Sequence, residues 1–213
     1  MRLEVPKCAG STLMHVFHLT LVSTVLSLRG NEVVRQPLED PFSGSLLCWN
    51  GEVWKIDGTI FGGNDVQPIF SLLLEATKHN TVGHDDRSIA YAETLQAVIN
   101  IITCLSGPYA FVFYDARHQR IFYGRDILGR RSLLYKSAED GNLTVSSICD
   151  GSVSDAWSEV EANGIYMLDL TIGRTDSENE DYVLKRIPWS KEEDGSGLCP
   201  CLVRCARTFA RSL

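Results

Sequence analysis

The chain has 213 residues, enough for one well-buried core or for one domain with tails. Hydrophobic residues make up 44% and charged residues 22%, the balance of a globular chain rather than a disordered one. Lysine and arginine number 20 against 27 acids, a net charge of −7 with no long basic stripe. That argues against nucleic acid and anionic membranes as partners and leaves small molecules or another protein.

In chain order, residues 1–18 show no clear period and are expected to form an irregular leader. Leu13–Leu28 is the stretch that raises a membrane question, but it holds His15, His18, Thr20, Ser23, Thr24 and Ser27 and is short for a span. Glu4 and the lack of a small-x-small site before Arg29 speak against a secretory signal. Its β-branched content instead predicts a buried strand over Leu19–Leu28, stopped by Arg29-Gly30-Asn31, with buried, hydrogen-bonded histidines before it. A second strand is expected over Ser45–Trp49. Asn50-Gly51 then reads as a hairpin turn, because both residue types tolerate positive φ, and Val53–Ile56 resumes the strand.

Helices follow. The first opens near Gly62 and runs to about Lys78, with Asn64 or Asp65 as cap, Pro68 in its first turn, and Ile69, Phe70, Leu73 and Leu74 on its buried face. The second runs from about Arg87 to Leu105 with a stripe of Leu95, Val98, Ile99 and Ile102, and ends at Ser106-Gly107-Pro108. Further strands are predicted at Tyr109–Asp115, Arg120–Arg125, Ser132–Lys136, Asn142–Ser147, Gly164–Leu170 and Tyr182–Ile187. Strands, then paired helices, then strands imply an α+β domain with mainly antiparallel sheet over 19–189. Residues 190–213 are polar, then rich in cysteine and arginine, and are expected to be a disordered tail.

Seven cysteines, an odd number without a dense framework, fit a reducing, cytoplasmic setting. Cys199, Cys201 and Cys205 fall short of the four ligands of a structural zinc site, so no metal is expected.

Chemistry concentrates in three places. In Trp49-Asn50-Gly51-Glu52 the glycine lets a backbone N–H approach a ligand and the asparagine amide supplies a second donor. Two donors on one oxygen make an oxyanion hole, although Asn-Gly alone is more often a plain turn. Gly63-Asn64-Asp65 puts a carboxylate at a helix start, where it can hold a cationic amine or, by default, cap the helix. Gly107–Asp115 leads into Tyr123-Gly124-Arg125-Asp126-Ile127-Leu128-Gly129-Arg130-Arg131-Ser132-Leu133, a strand pair with a sharp turn in which Arg125 and Asp126 are expected to pair.

Together, in order and spacing, these segments resemble the class-II glutamine amidotransferase domain found in asparagine synthetases. Gln36-Pro37, Arg130-Arg131-Ser132-Leu133-Leu134 and Pro188-Trp189 resemble its asparagine synthetase domain-containing branch. The resemblance implies an N-terminal-nucleophile-type αββα sandwich of two mainly antiparallel sheets between helices, with glutamine as ligand and no cofactor. Asn50 and Gly51 would form the oxyanion hole. Asp65 would hold the substrate's α-amino group, Glu52 would line the pocket, and Arg29 would stand in for an arginine usually found on the strand occupied here by Val25–Leu28.

Two departures from the family pattern shape the expected activity. The family opens Met-Cys-Gly-Ile, so that a terminal cysteine can use its own amine as base. Here Arg2 follows Met1, Cys8 is internal, and Cys48 lies in a strand, so glutamine hydrolysis is expected to fail. No Ser-Gly-Gly-x-Asp phosphate loop occurs, so a glutaminase lobe of asparagine biosynthesis, shortened at both ends, would need a synthetase domain or subunit as partner. A non-catalytic glutamine-binding or interaction module and a gene fragment are the competing readings.

Overall fold

A computed structural model of the chain describes residues 2–6, 16–25, 33–60, 62–78, 87–138, 142–149, 157–171 and 183–189. The elements are β1 (Arg2–Pro6), β2 (Val16–Thr20), β3 (Leu38–Glu39), β4 (Leu46–Gly51), β5 (Lys55–Ile56), β6 (Thr59–Ile60), α1 (Val66–Ala76) and α2 (Arg87–Thr103). They continue with β7 (Leu105–Ser106), β8 (Tyr109–Asp115), β9 (Arg120–Arg125), β10 (Leu134–Ser137), β11 (Leu143–Ser146), β12 (Ser158–Glu159), β13 (Gly164–Asp169) and β14 (Val183–Pro188). The last strand, both helices and, apart from the two-residue β7 and β12, the strands after them lie within a few residues of the sequence expectation.

The organising element is β8. Tyr-Ala-Phe-Val-Phe-Tyr-Asp is apolar on both sides of its alternation, so its strand has to be covered on both faces. It lies inside a six-stranded antiparallel sheet of order β14-β13-β9-β8-β4-β3. One face, carrying Leu47, Trp49, Phe111, Phe113, Phe122 and Met167, packs against Ile69, Phe70 and Leu73 of α1 and Val98 and Ile102 of α2. Phe113 stacks on Phe122 and meets Phe70 edge-on. Burial of each such ring contributes about 1.5–3 kcal/mol. The other face, with Leu46, Ala110, Tyr114 and Tyr123, packs against Leu133, Leu143, Val145 and Val160 of the three-stranded sheet β11-β10-β12 and its flanks.

Helices, sheet and second sheet therefore stack in the order of the expected N-terminal-nucleophile-type α+β sandwich. An outer helical layer beyond the second sheet is not among the described residues. Two smaller sheets complete the description, β1-β2 and β6-β5-β7.

Several local expectations change. The leader contains a strand: β1 pairs antiparallel with β2, Leu3 opposite Leu19. A five-residue strand has too few residues to show a period, and its partner lies ten residues further on. The predicted strand at Leu19–Leu28 is shifted, since β2 ends at Thr20 and residues 21–25 are irregular. His18 is exposed, not buried. Arg29, Cys8, His15 and the cysteine-rich tail lie outside the described residues.

Asn50-Gly51 is not a turn. Both residues stay in β4, Asn50 opposite Ala110 and Gly51 opposite Tyr109. The hairpin belongs instead to Asp57-Gly58, both at positive φ (50° and 74°), between β5 and β6.

Candidate functional site

Where β4 and β8 run out beside the second sheet, a cavity of about 560 Å³ opens. Alternation along the strands puts Cys48, Asn50, Ala110 and Val112 on the face that forms its floor. Segment 20–25 and residues from Val145 to Ile148 wall it from the other side. Trp49, Gly51, Glu52, Asp65 and Arg131 complete its rim. Four of the five residues singled out from sequence, Asn50, Gly51, Glu52 and Asp65, thus border one space. Arg29 lies outside the described residues.

The backbone of β4 decides what its end can donate. Glu52 N–H donates to Pro108 O at 2.9 Å, continuing the ladder to β8. In an antiparallel pair alternate residues point their amides the other way. Trp49 N–H accordingly turns from β8 and donates to the side-chain Oε1 of Gln36 at 2.6 Å, two positions before the short β3. By the same alternation Gly51 N–H is directed to that outer edge, next to the Asn50 amide. Glycine is required here for packing: a Cβ on Gly51 would stand 2.5 Å from Tyr109 Cβ and 2.7 Å from Pro108 O. Gly107 serves the same crossing, since a Cβ there would stand 2.2 Å from Glu52 O.

Asp65 does not cap its own helix. Asn64 Oδ1 accepts the Val66 amide at 3.1 Å, while Asp65, only 3% exposed, sends its carboxylate back toward the strands. Its Oδ2 accepts Val53 N–H at 2.7 Å and the Trp49 indole N–H at 3.2 Å. The start of α1 is thereby tied to the segment after β4, and an anionic group sits at the cavity wall. Trp49 in turn stacks on Tyr109 with ring centres 5.1 Å apart.

The Gly-Arg-Asp segment supports this rim from behind, and its two charges act separately. Asp126 accepts Tyr109 N–H, Leu128 N–H, Arg130 N–H and Arg130 Nε at 2.9–3.2 Å, fixing the turn against the start of β8. Burial pushes its carboxyl up, but Arg130 and the three amides outweigh that and hold it below the usual range. Arg125 leaves Asp126 alone. It donates to Glu159 Oε1 at 2.5 Å, Val160 O at 3.0 Å and Gly129 O, stapling the turn to β12. Arg130 also lies over the Trp54 ring, 5.2 Å from its centre.

Sequence reasoning gave no role to Gln36 or Arg131. Gln36 was visible beside Pro37, but its clamp on Trp49 depends on a strand register that no local pattern reveals. Among the described cysteines, Cys48 borders the cavity. Burial pushes its thiol up to about 11, so it is protonated at neutral pH. Cys149 is exposed.

A sandwich with this cavity between its sheets, bordered by a strand-end Asn-Gly-Glu and a helix-start aspartate, defines the class of protein. Residues 24–151, more than half of the chain, match the glutamine amidotransferase domain, and the chain belongs to that family. It is 30% identical over 181 residues to asparagine synthetase domain-containing protein 1 of Bos taurus, covering 84% of this chain and 25% of that protein. Against asparagine synthetase [glutamine-hydrolyzing] of Mesocricetus auratus it is 30% identical over 108 residues, 51% of this chain and 17% of that one. The chain thus spans about a quarter or less of the length of these relatives. Among solved structures, glutamine phosphoribosylpyrophosphate (PRPP) amidotransferase from B. subtilis complexed with ADP and GMP is similar at TM-score 0.41. The identity is 18%, over 73% of this chain and 32% of that one. Among the described residues, no helix is long and apolar enough to cross a membrane.

Proposed function

We propose that the lobe binds glutamine in the cavity between its sheets and that the described cavity does not hydrolyse it. The observation that carries this reading is the end of β4, where the alternation of the ladder turns Gly51 N–H outward beside Asn50. Those two donors suit the oxygen of a side-chain amide. Glu52 and Asp65, both anionic and both on the same rim, suit an α-ammonium group. Hydrolysis needs a thiolate or activated hydroxyl against the amide carbon. Cys48, with its thiol pushed up to about 11, does not supply one.

The proposed setting is a longer asparagine-synthetase-type protein, in which a second domain or subunit uses the nitrogen of glutamine. A cytoplasmic location is part of the proposal and agrees with the thiols of Cys48 and Cys149, which form no disulfide among the described residues. The test is titration of the purified chain with L-glutamine, followed by NMR, alongside an assay for released glutamate. Saturable binding that is lost in Asn50→Ala, with no glutamate formed, is the expected result. Glutamate release at the rate of an intact glutaminase would overturn the inactive part, and absence of binding would overturn the whole. A non-catalytic docking role then becomes the better reading.

A further inference from the structure

The cavity is larger than its polar end needs. Glutamine has about ten non-hydrogen atoms, whereas sites of roughly 300–1,000 Å³ enclose ligands of drug size. This cavity measures about 560 Å³. Among the described lining residues the charged ones, Glu52, Asp65 and Arg131, are gathered at one end. Glu52 follows β4 directly, Arg131 Nη2 lies 3.6 Å from Glu52 Oε1, and Asp65 accepts Val53 N–H. A glutamine placed with its amino-acid group there reaches back along the strand to Asn50 and Gly51 with its side-chain amide.

Beyond Asn50, away from those charges, the floor turns apolar. The next residues on the same face of β4 and β8 are Cys48 and Val112, which stand opposite each other about 7 Å from the Asn50–Ala110 pair. Both pack against the second core cluster, as do Leu21 and Val145 of the walls. Burial pushes the Cys48 thiol up to about 11, the mark of a floor poorly served by water. Two large apolar side chains that border the cavity, Val22 and Ile148, are left 79% and 74% exposed. A ligand that ended at its amide would leave this surface in contact with water. An apolar group on the amide nitrogen would cover it.

We propose that the cavity takes glutamine whose amide nitrogen carries a small apolar substituent, a γ-glutamyl alkylamide, with that substituent lying on the Cys48–Val112 floor. This rests on the glutamine reading and names the class of ligand within it. The hydroxyls of Ser23, Ser146 and Ser147 border the same space, so a polar substituent of equal size is the discriminating comparison. Each CH2 that leaves water for such a floor adds about fourfold in affinity.

The experiment titrates the purified chain, followed by NMR, with L-glutamine, L-γ-glutamyl propylamide and L-γ-glutamyl ethanolamide, whose added groups are equal in size. The wild type should bind the propylamide roughly tenfold to fiftyfold more tightly than glutamine, and the ethanolamide no more tightly than glutamine. Val112→Thr keeps the shape of the floor and adds a hydroxyl. It should cut the propylamide advantage roughly threefold or more and leave glutamine within about twofold of the wild type. Val112→Phe fills the floor and should abolish the advantage. Each variant is first checked for folding, and Val112→Thr alone carries the comparison where Val112→Phe does not fold. Equal gains for propylamide and ethanolamide would overturn the apolar class. An advantage unchanged in Val112→Thr would overturn the position on the floor. If the wild type binds glutamine and the propylamide gains nothing, only this assignment falls. If none of the three ligands binds, the glutamine reading falls and takes this assignment with it.

Discussion

The two ends of β8 both gather arginines and carboxylates, and they treat them oppositely. At the Asp115 end, about 20 Å along the strand from the cavity, Arg120 is fully buried and largely satisfied. Its Nε and Nη2 donate to Asp115 Oδ2 at 3.2 and 2.6 Å, Nη2 also reaches Thr94 Oγ1, and Nη1 reaches Tyr91 O. Its guanidinium lies over the rings of Tyr91 and Phe122. Tyr91 OH donates to Asp169, whose other oxygen takes Thr171, and His118 Nδ1 sits 2.9 Å from Asp115. At the Tyr109 end the rim is about a third exposed, its ion pair is long, and a donor is left over. Buried charge alone therefore does not mark a binding site. The Asp115 cluster is a clamp between α2 and the β8–β9 hairpin.

The widest separation of the two ends should come from Arg120→Met. Removing one partner of a buried ion pair leaves the other uncompensated, so the expected loss is about 3–5 kcal/mol of stability in urea unfolding. Glutamine affinity of the folded fraction should stay at the wild-type value. A loss below about 1 kcal/mol would mean that the clamp is no stronger than a surface pair.

Gly51→Ala should reverse that pattern. Its Cβ would force β4 from Tyr109 and Pro108, costing about 1–3 kcal/mol and displacing the Gly51 N–H, so binding should fall further than stability does. Gly58→Ala is the matched control: it is strained at φ 74° but has no atom within 4 Å of the added Cβ. Its expected cost is about 1 kcal/mol with binding intact. Equal binding in both variants would detach the strand end from the ligand.

How much of this was legible follows from the range of each interaction. The helices, β8, β9 and β13 show in the sequence because their periods are local and their apolar residues recur at the right spacing. Asn50, Gly51, Glu52 and Asp65 were legible as motifs, and they border one cavity. What they do was only partly legible. The hairpin chemistry was read correctly but assigned to Asn50-Gly51 instead of Asp57-Gly58, because both dipeptides tolerate positive φ and only the register to β8 separates them. Arg125 and Asp126 are adjacent, which suggested a pair. Successive strand-end residues point apart, so Arg125 reaches Glu159 while Asp126 pairs with Arg130, four residues on. The place of Arg131 on the rim was not legible because it depends on the second sheet closing over β4.

Acid should weaken both ends together and more gently. Asp115 and Asp126 are both held below the usual carboxylate value of 3.8. In each, burial raises the carboxyl, while His118 and Arg120 for Asp115, and Arg130 with backbone amides for Asp126, outweigh it. Each binds fewer protons folded than unfolded. Their stabilisation is therefore complete above the unfolded value and is lost as pH falls from about 3.8 through the folded values. Urea midpoints should hold from pH 7 to 5 and drop below 4. Asp126→Asn should flatten the drop in part, and a flat profile down to pH 3 would contradict both carboxylates' environments.

The smallest effect bears on whether the cavity can do chemistry. A thiol held near 11 instead of 9.0 is ionised about a hundredfold less at pH 8. Iodoacetamide should therefore label Cys48 on the order of a hundredfold more slowly than exposed Cys149, followed by peptide mass mapping. The Cys48 rate should keep climbing as pH approaches 11, because each unit adds thiolate. Added glutamine should slow it further by covering the floor of the cavity. Labelling of Cys48 as fast as Cys149, or a plateau below pH 9, would reveal an activated thiol facing the ligand. Binding without hydrolysis would then have to be abandoned, however well the strand end holds the amide.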